Sequence, residues 1–200
     1  QGDSILIQTP KQHTILIDAG PPSSGRYVIG PTLRYLGITA IDRLILTHPH
    51  LDHTGGYETL LRQFSIGHVI EAIEGADTMR VYDFNDGTQL TVLYPPKTDS
   101  NTNNLSVSAL LRYKDIQFAF TGDLEVAGET ALVKKYGNLL ESTVLKLGHH
   151  GSKTSSSWAW LKWLRAERAI ISAGYANTAN DPSRSVYERL QATGAKIVDT

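Results

Sequence analysis

Five of the seven histidines in this 200-residue chain fall in two short strings, THPHLDHTGG at 47–56 and KLGHHGS at 146–152. Each string follows an apolar run with the length of a buried strand, DRLIL at 42–46 and TVLKL at 143–147. A third polar cluster, TGDLE at 121–125, follows the run FAF. Histidines used only for packing or surface would be scattered. Three strand-end clusters of metal-ligand type are poorly explained by chance, so the chain is expected to gather these strand ends at one centre.

Length and composition narrow what surrounds that centre. Two hundred residues with 40% apolar and 20% charged side chains suit one domain with a sizeable core. No window approaches the roughly 18 uninterrupted apolar residues of a membrane helix, and no signal-peptide pattern is present. Gln1 leads almost at once into an apolar strand pattern, so the chain reads as a fragment of a longer protein. With no cysteine, any metal must be held by nitrogen and oxygen. The net charge of −1 argues against a globally basic nucleic-acid binder, but residues 146–200 carry 8 Lys/Arg against 4 Asp/Glu. That excess is either a solvated face or a surface for an anion.

SILIQT at 4–9 and TILID at 14–18 read as a hairpin. A short helix is expected at 31–36, a strand at 42–46 and a helix at 57–64. Strands are expected at 68–72, 87–94, 105–113 and 117–121, with NDG at 85–87 as a turn. Helices near 126–136, 156–165 and after Pro182 then alternate with strands at 143–147, 169–172 and 196–198. No repeat or linker divides the chain. Two packed sheets with helices outside follow, an α/β four-layer αββα sandwich in a single domain over residues 1–200.

HPHLDH has the form H-x-H-x-D-H, and imidazole and carboxylate converging from one turn suit a divalent cation. Gly55-Gly56 permits the sharp exit into the next helix. Asp123 alone is a weak signal; beside the His149-His150 pair it becomes a candidate ligand, with one of those two histidines reserved for support. Trp158, Trp160 and Trp163 invite a base-stacking reading, but at their spacing they cannot share one helix face, and core packing accounts for them better.

These strings carry a resemblance. H-x-H-x-D-H, the strand-end Asp123 and LIDAG at 16–20 resemble the metallo-β-lactamase fold superfamily. QGDSILI, LTHPHLDHTGG, NNLSVSALL, FTGDLE, LKLGHHGSKTSSS and RLQATGAKI look like the C-terminal domain of the ComEC/Rec2 family, the channel proteins of natural DNA uptake. The resemblance implies two metal sites, one taking His48 and His50, the other Asp52 and His53, with Asp123 between them. The third histidine of the pattern would fall where Asn103-Asn104 stand, and the closing histidine falls on Asp181. His149 is the candidate for the missing imidazole. These departures leave two readings open: one weak or empty site, or an oxygen-rich centre that favours manganese, or magnesium, over zinc. Asp18 either orients the H-x-H-x-D-H loop or is a strand-end turn residue.

Metals at such a centre make hydrolysis the natural reaction class, with Asp52, His53 and His150 as its catalytic candidates. Lys146, Ser152 and Lys153 beside the second histidine string suit a DNA backbone, unless both lysines are ordinary surface. The resemblance thus implies a metal-dependent DNA nuclease within a membrane channel protein, on the extracytoplasmic side, degrading the strand that is not transported. A small-molecule metallo-hydrolase and a catalytically silent DNA-guiding module are the alternatives.

Overall fold

The computed structural model describes residues 2–71, 79–96, 100–174 and 181–200. Its first half contains β1 (Ile5–Gln8), β2 (Thr14–Ile17), α1 (Gly30–Tyr35), β3 (Ala40–Ile41), β4 (Arg43–Leu46), α2 (Leu51–Thr54), α3 (Tyr57–Gln63), β5 (Ser65–Ile66) and β6 (Val69–Glu71). There follow β7 (Arg80–Asp83), β8 (Thr88–Leu93), β9 (Ser108–Tyr113), β10 (Ile116–Phe120), α4 (Val126–Tyr136), β11 (Val144–Lys146), α5 (Trp158–Leu164), β12 (Arg168–Ile171), α6 (Arg184–Thr193) and β13 (Lys196–Asp199).

One sheet has the order β1-β2-β4-β6 and the other β13-β12-β11-β10-β9-β8-β7, with β3 and β5 paired apart. Alternation along the strands assigns the layers, because successive side chains leave a strand on opposite faces. Ile15, Ile17 and Ile45 meet Val92, Ala109, Leu111 and Phe120 between the two sheets. Their neighbours Leu16, Leu44 and Leu46 turn outward onto Leu33 of α1 and Leu60 of α3. On the far side, Leu110 and Ala119 pack with Leu132 of α4, Trp160 and Leu164 of α5, and Val186 and Leu190 of α6. Three apolar layers between four structural ones make the αββα sandwich.

Parallel pairing of β2 with β4, and of β10, β11 and β12 in series, aligns the C-terminal ends of these strands within each sheet. Asp18, Thr47, Thr121, Leu147 and Ser172 immediately follow them. Open α/β sheets bind ligands at such carboxyl ends.

Some expectations change. The strand expected from residue 105 begins at Ser108, since residues 102–105 close a short 3-10 turn that Asn101 caps by accepting from the Asn103 N–H at 3.0 Å. β7 was not foreseen: RVYD is a largely exposed edge strand with no apolar face to reveal it. Ala72, expected to end a strand, and most of NTANDPS lie outside the described residues. Of the three tryptophans only Trp160 is in the core, while Trp158 and Trp163 are exposed.

Candidate metal centre

Asp18 leaves β2 with φ +60° and is buried beneath the H-x-H-x-D-H loop. Its Oδ1 accepts the Thr47 backbone N–H at 2.8 Å, and its Oδ2 accepts the Thr47 hydroxyl at 2.8 Å. The same Oδ2 lies 2.8 Å from His53 Nδ1, which donates to it. Because the Thr47 hydroxyl spends its proton on Asp18, it can only accept from His48 Nδ1–H, 3.0 Å away. One carboxylate thereby fixes the donor side of two imidazoles and turns both Nε2 atoms the other way. This is how outer residues orient metal-binding histidines.

A third histidine is set by the opposite sheet. His150 Nδ1 donates to the Ser172 carbonyl at 2.9 Å, which leaves its Nε2 bare. His149 and His150 both take positive φ, +48° and +53°, a conformation that bulky residues adopt only when their surroundings hold them there. Asp123 arrives from β10 through Gly122, whose φ is +52° and where a Cβ would stand 2.8 Å from that of Thr47. Only glycine lets the two loops approach this closely.

Four imidazoles converge on this aspartate. Asp123 Oδ2 lies 3.3 Å from His53 Nε2, 3.8 Å from His149 Nε2 and 3.9 Å from His48 Nε2, and Asp123 Oδ1 lies 4.0 Å from His150 Nε2. Asp52 Oδ2 is 3.8 Å from His53 Nε2. His50 is exposed, its ring 4.7 Å from that of His48 and its Nε2 2.8 Å from the Thr102 hydroxyl.

The buried atoms His48 Nε2, His53 Nε2, His150 Nε2 and Asp123 Oδ1 make no hydrogen bond. Buried polar atoms are nearly always paired, so several such atoms around one point are the mark of a cation's place. Donor atoms of His53, Asp123, His150 and Asp3 lie within 4.8 Å of one another. The residues present therefore fit a divalent metal. Burial alone would depress His53, but Asp123 and Asp18 outweigh it and push it up to about 10. His48 is driven down to about 3 by burial, with charged His53 beside it.

The remaining expected residues divide. Asn104 Oδ1 accepts the N–H groups of Glu125 and Gly128, both at 3.1 Å, so this oxygen caps α4. Asn103 Nδ2 donates to Glu125 Oε1 at 3.1 Å, and that carboxylate oxygen lies 3.3 Å from His149 Nδ1. The Asn pair thus braces Glu125 and, through it, His149. Burial raises the pKa of Asp181 above the ordinary value, and the residue is within electrostatic reach of His149, His150 and Asp123. Ser152 is half-buried, its hydroxyl 3.3 Å from that of Thr154, and Lys153 is exposed. Lys146 corrects an expectation: the charge that was to face DNA is buried and paired with Asp3.

Asp3 is the residue that sequence reasoning passed over. Gly2-Asp3 repeats the pairing Gly122-Asp123, which is a faint signal, and it sits at the other end of the chain. A Cβ on Gly2 would collide with the Asp52 carbonyl, so this segment lies directly against the metal-binding loop.

Fold and donor set are those of a metal-dependent hydrolase. The chain belongs to the metallo-beta-lactamase superfamily, whose sequence profile matches residues 1–101. It is 36% identical to competence protein ComA of Neisseria gonorrhoeae and 31% identical to ComE operon protein 3 of Bacillus subtilis. Each alignment covers 100% of this chain and 30% of the relative, so the chain spans about a third of the length of these proteins. Among solved structures, Zn(2+)-bound PqqB from Methylobacterium extorquens has the same fold, with a TM-score of 0.58, 13% identity, and coverage of 98% of this chain and 85% of that one. Among the described residues no helix is long and apolar enough to cross a membrane.

Proposed function

We propose that this chain is the divalent-metal-dependent DNA phosphodiesterase domain of a larger membrane protein of DNA uptake, and that it degrades the strand left outside. The observation that carries this reading is the convergence of four histidine Nε2 atoms on Asp123 in a chain whose relatives are competence proteins. In this reading His48 and His149 form one donor group with Asp123, which His50 joins only by turning its Nε2 from the Thr102 hydroxyl, and Asp52, His53 and His150 form the other. Divalent ions held there supply Lewis acidity for hydrolysis. We favour manganese because Asp52, Asp123 and Asp181 offer hard oxygen beside the imidazoles.

The protein's own part is orientation. Asp18 and Thr47 hold His48 and His53, the Ser172 carbonyl holds His150, and Glu125 holds His149. Lys153, exposed on the loop after the second histidine pair, is the contact for the phosphate backbone. The parent channel protein and DNA are the partners, and the domain lies on the extracytoplasmic side.

One observation favours a second reading. A cavity of about 460 Å³ beside His48 is lined by Leu46, Pro49, Tyr57 and Leu105 with Glu58 and Glu71. Its apolar walls and two carboxylates suit a small organic substrate better than a phosphate chain. The deciding experiment strips the protein of metal, reloads it with manganese, magnesium or zinc, and follows plasmid nicking and single-strand degradation. Cutting that EDTA stops, and that Asp52→Ala or His53→Ala abolishes with the fold intact, is the expected result. Metal-loaded protein that cuts no DNA with any of the three ions would sink the nuclease reading.

A further inference from the structure

Lys146 closes β11 with only 4% of its surface exposed. Its ammonium pairs with Asp3, which is 3% exposed. Asp3 Oδ1 accepts the Ser172 hydroxyl at 3.0 Å, and the carbonyl of the same serine accepts His150 Nδ1–H at 2.9 Å. By distance alone Asp3 is a fourth member of the cluster with His53, Asp123 and His150. The hydrogen bonds separate it from the others. His53 Nε2, His150 Nε2 and Asp123 Oδ1 have none, whereas both Asp3 oxygens are engaged.

We propose that Lys146 is a resident cation of the centre: its ammonium keeps Asp3 from ligating metal, and Asp3 so held is a positioning residue for His150 through Ser172. This rests on reading the centre as a metal site. A buried ammonium and a buried carboxylate are each costly alone, and removing one leaves the other uncompensated. Lys146 therefore satisfies Asp3 permanently, which leaves Asp52, Asp123 and Asp181 as the carboxylates offered to divalent ions. Without Lys146, Asp3 keeps the Ser172 hydroxyl and lies 3.7 Å from His150 Nδ1, but its full charge is no longer matched by an ammonium, and a metal ion in the same cluster can take that place.

The test uses metal-stripped protein titrated with manganese by calorimetry, with metal content measured after gel filtration. Lys146→Met keeps the length of the side chain and removes the charge. It is expected to bind manganese about tenfold more tightly, because charge count sets the affinity of oxygen-ligated cations. In the Lys146→Met background, Asp3→Ala is expected to lose about tenfold in affinity against wild type by freeing His150, while Asp3→Asn, which still accepts from Ser172, keeps wild-type affinity. Should Lys146→Met fail to fold without metal, the neutral pair Asp3→Asn with Lys146→Met decides the matter, with wild-type stoichiometry and affinity expected. A lost metal equivalent in the double variant, where no ammonium is left unpaired, makes Asp3 a ligand and overturns the proposal. So does manganese affinity in Lys146→Met equal to wild type. If the wild type itself takes up no metal, the metal reading falls and this assignment with it.

Discussion

Asp18 Oδ2 stands 2.8 Å from His53 Nδ1 and 2.8 Å from the Thr47 hydroxyl, so one carboxylate oxygen governs two of the imidazoles that face Asp123. Asp18→Asn keeps the size of the side chain and an acceptor for the Thr47 amide, but replaces this oxygen with an NH₂ that cannot accept from His53. His53 then loses the partner that turns its Nε2 inward. A drop of about 10- to 100-fold in metal affinity is expected, with little change in the fold. Calorimetry on stripped protein checks it, and unchanged affinity would return Asp18 to a turn residue.

Lys153 is exposed and follows the histidine pair, whereas Lys146 is buried. The two lysines should therefore behave differently in DNA binding. Lys153→Ala should weaken binding and flatten the plot of log affinity against log salt by about 0.9, the slope that one neutralised phosphate contributes. Fluorescence anisotropy at several salt concentrations measures this, and an equal slope in the variant makes Lys153 ordinary surface.

Asp181 stands where a closing histidine is expected and lies within electrostatic reach of His149, His150 and Asp123. Zinc favours nitrogen over carboxylate oxygen more strongly than manganese does. Asp181→His should thus raise zinc affinity and leave manganese affinity level or lower. Competition titrations of the two ions against one chelator give the ratio directly. Identical ratios in the two proteins would show that residue 181 does not reach the ion.

Asp86 gives a pH dependence remote from the metal. It accepts the Thr9 hydroxyl at 2.5 Å and the amides of Lys11 and Thr88 at 3.1 and 2.9 Å. Desolvation works against these bonds, but together they outweigh it and hold the carboxyl well below its ordinary value of 3.8. A depressed folded-state pKa means stability that is present above 3.8 and lost as the pH falls toward the folded value. Asp86→Asn should flatten the fall in melting temperature below about pH 4 and leave its slope at pH 6–8 unchanged. An equally steep acid limb in the variant would remove Asp86 from the account.

The sandwich was legible because its strands are apolar runs of the right length, and α4 was expected near the span it occupies, Val126–Tyr136. His48, His53, Asp123 and the His149-His150 pair were legible for a local reason, since each sits at the end of such a run. The bracing was not. Asp3 meets Lys146 across 143 positions of sequence, and no periodicity links them. Lys146 therefore read as surface, because a lone lysine usually is. The Thr47 hydroxyl was hidden for a different reason: its role depends on which neighbour takes its proton. Asn103 and Asn104 were left open between ligand and supporting residue, and only the contacts of Glu125 with Asn103 and His149 show them acting on an imidazole at one remove.

The Asp86 contacts join the β1–β2 turn to the β7–β8 turn, and so tie one sheet to the other at the end of the strands away from His53 and Asp123. The sandwich resembles a book, bound along this polar spine and opening at the edge where Asp18 and His53 belong to one cover and Asp123 and His150 to the other. An ion shared by the two covers would work as a latch. Its removal should free the pages near Thr47 and Gly122 to exchange their amide hydrogens while those near Thr9 and Thr88 stay protected, which would make hydrogen exchange at that edge a readout of the donor atoms around Asp123.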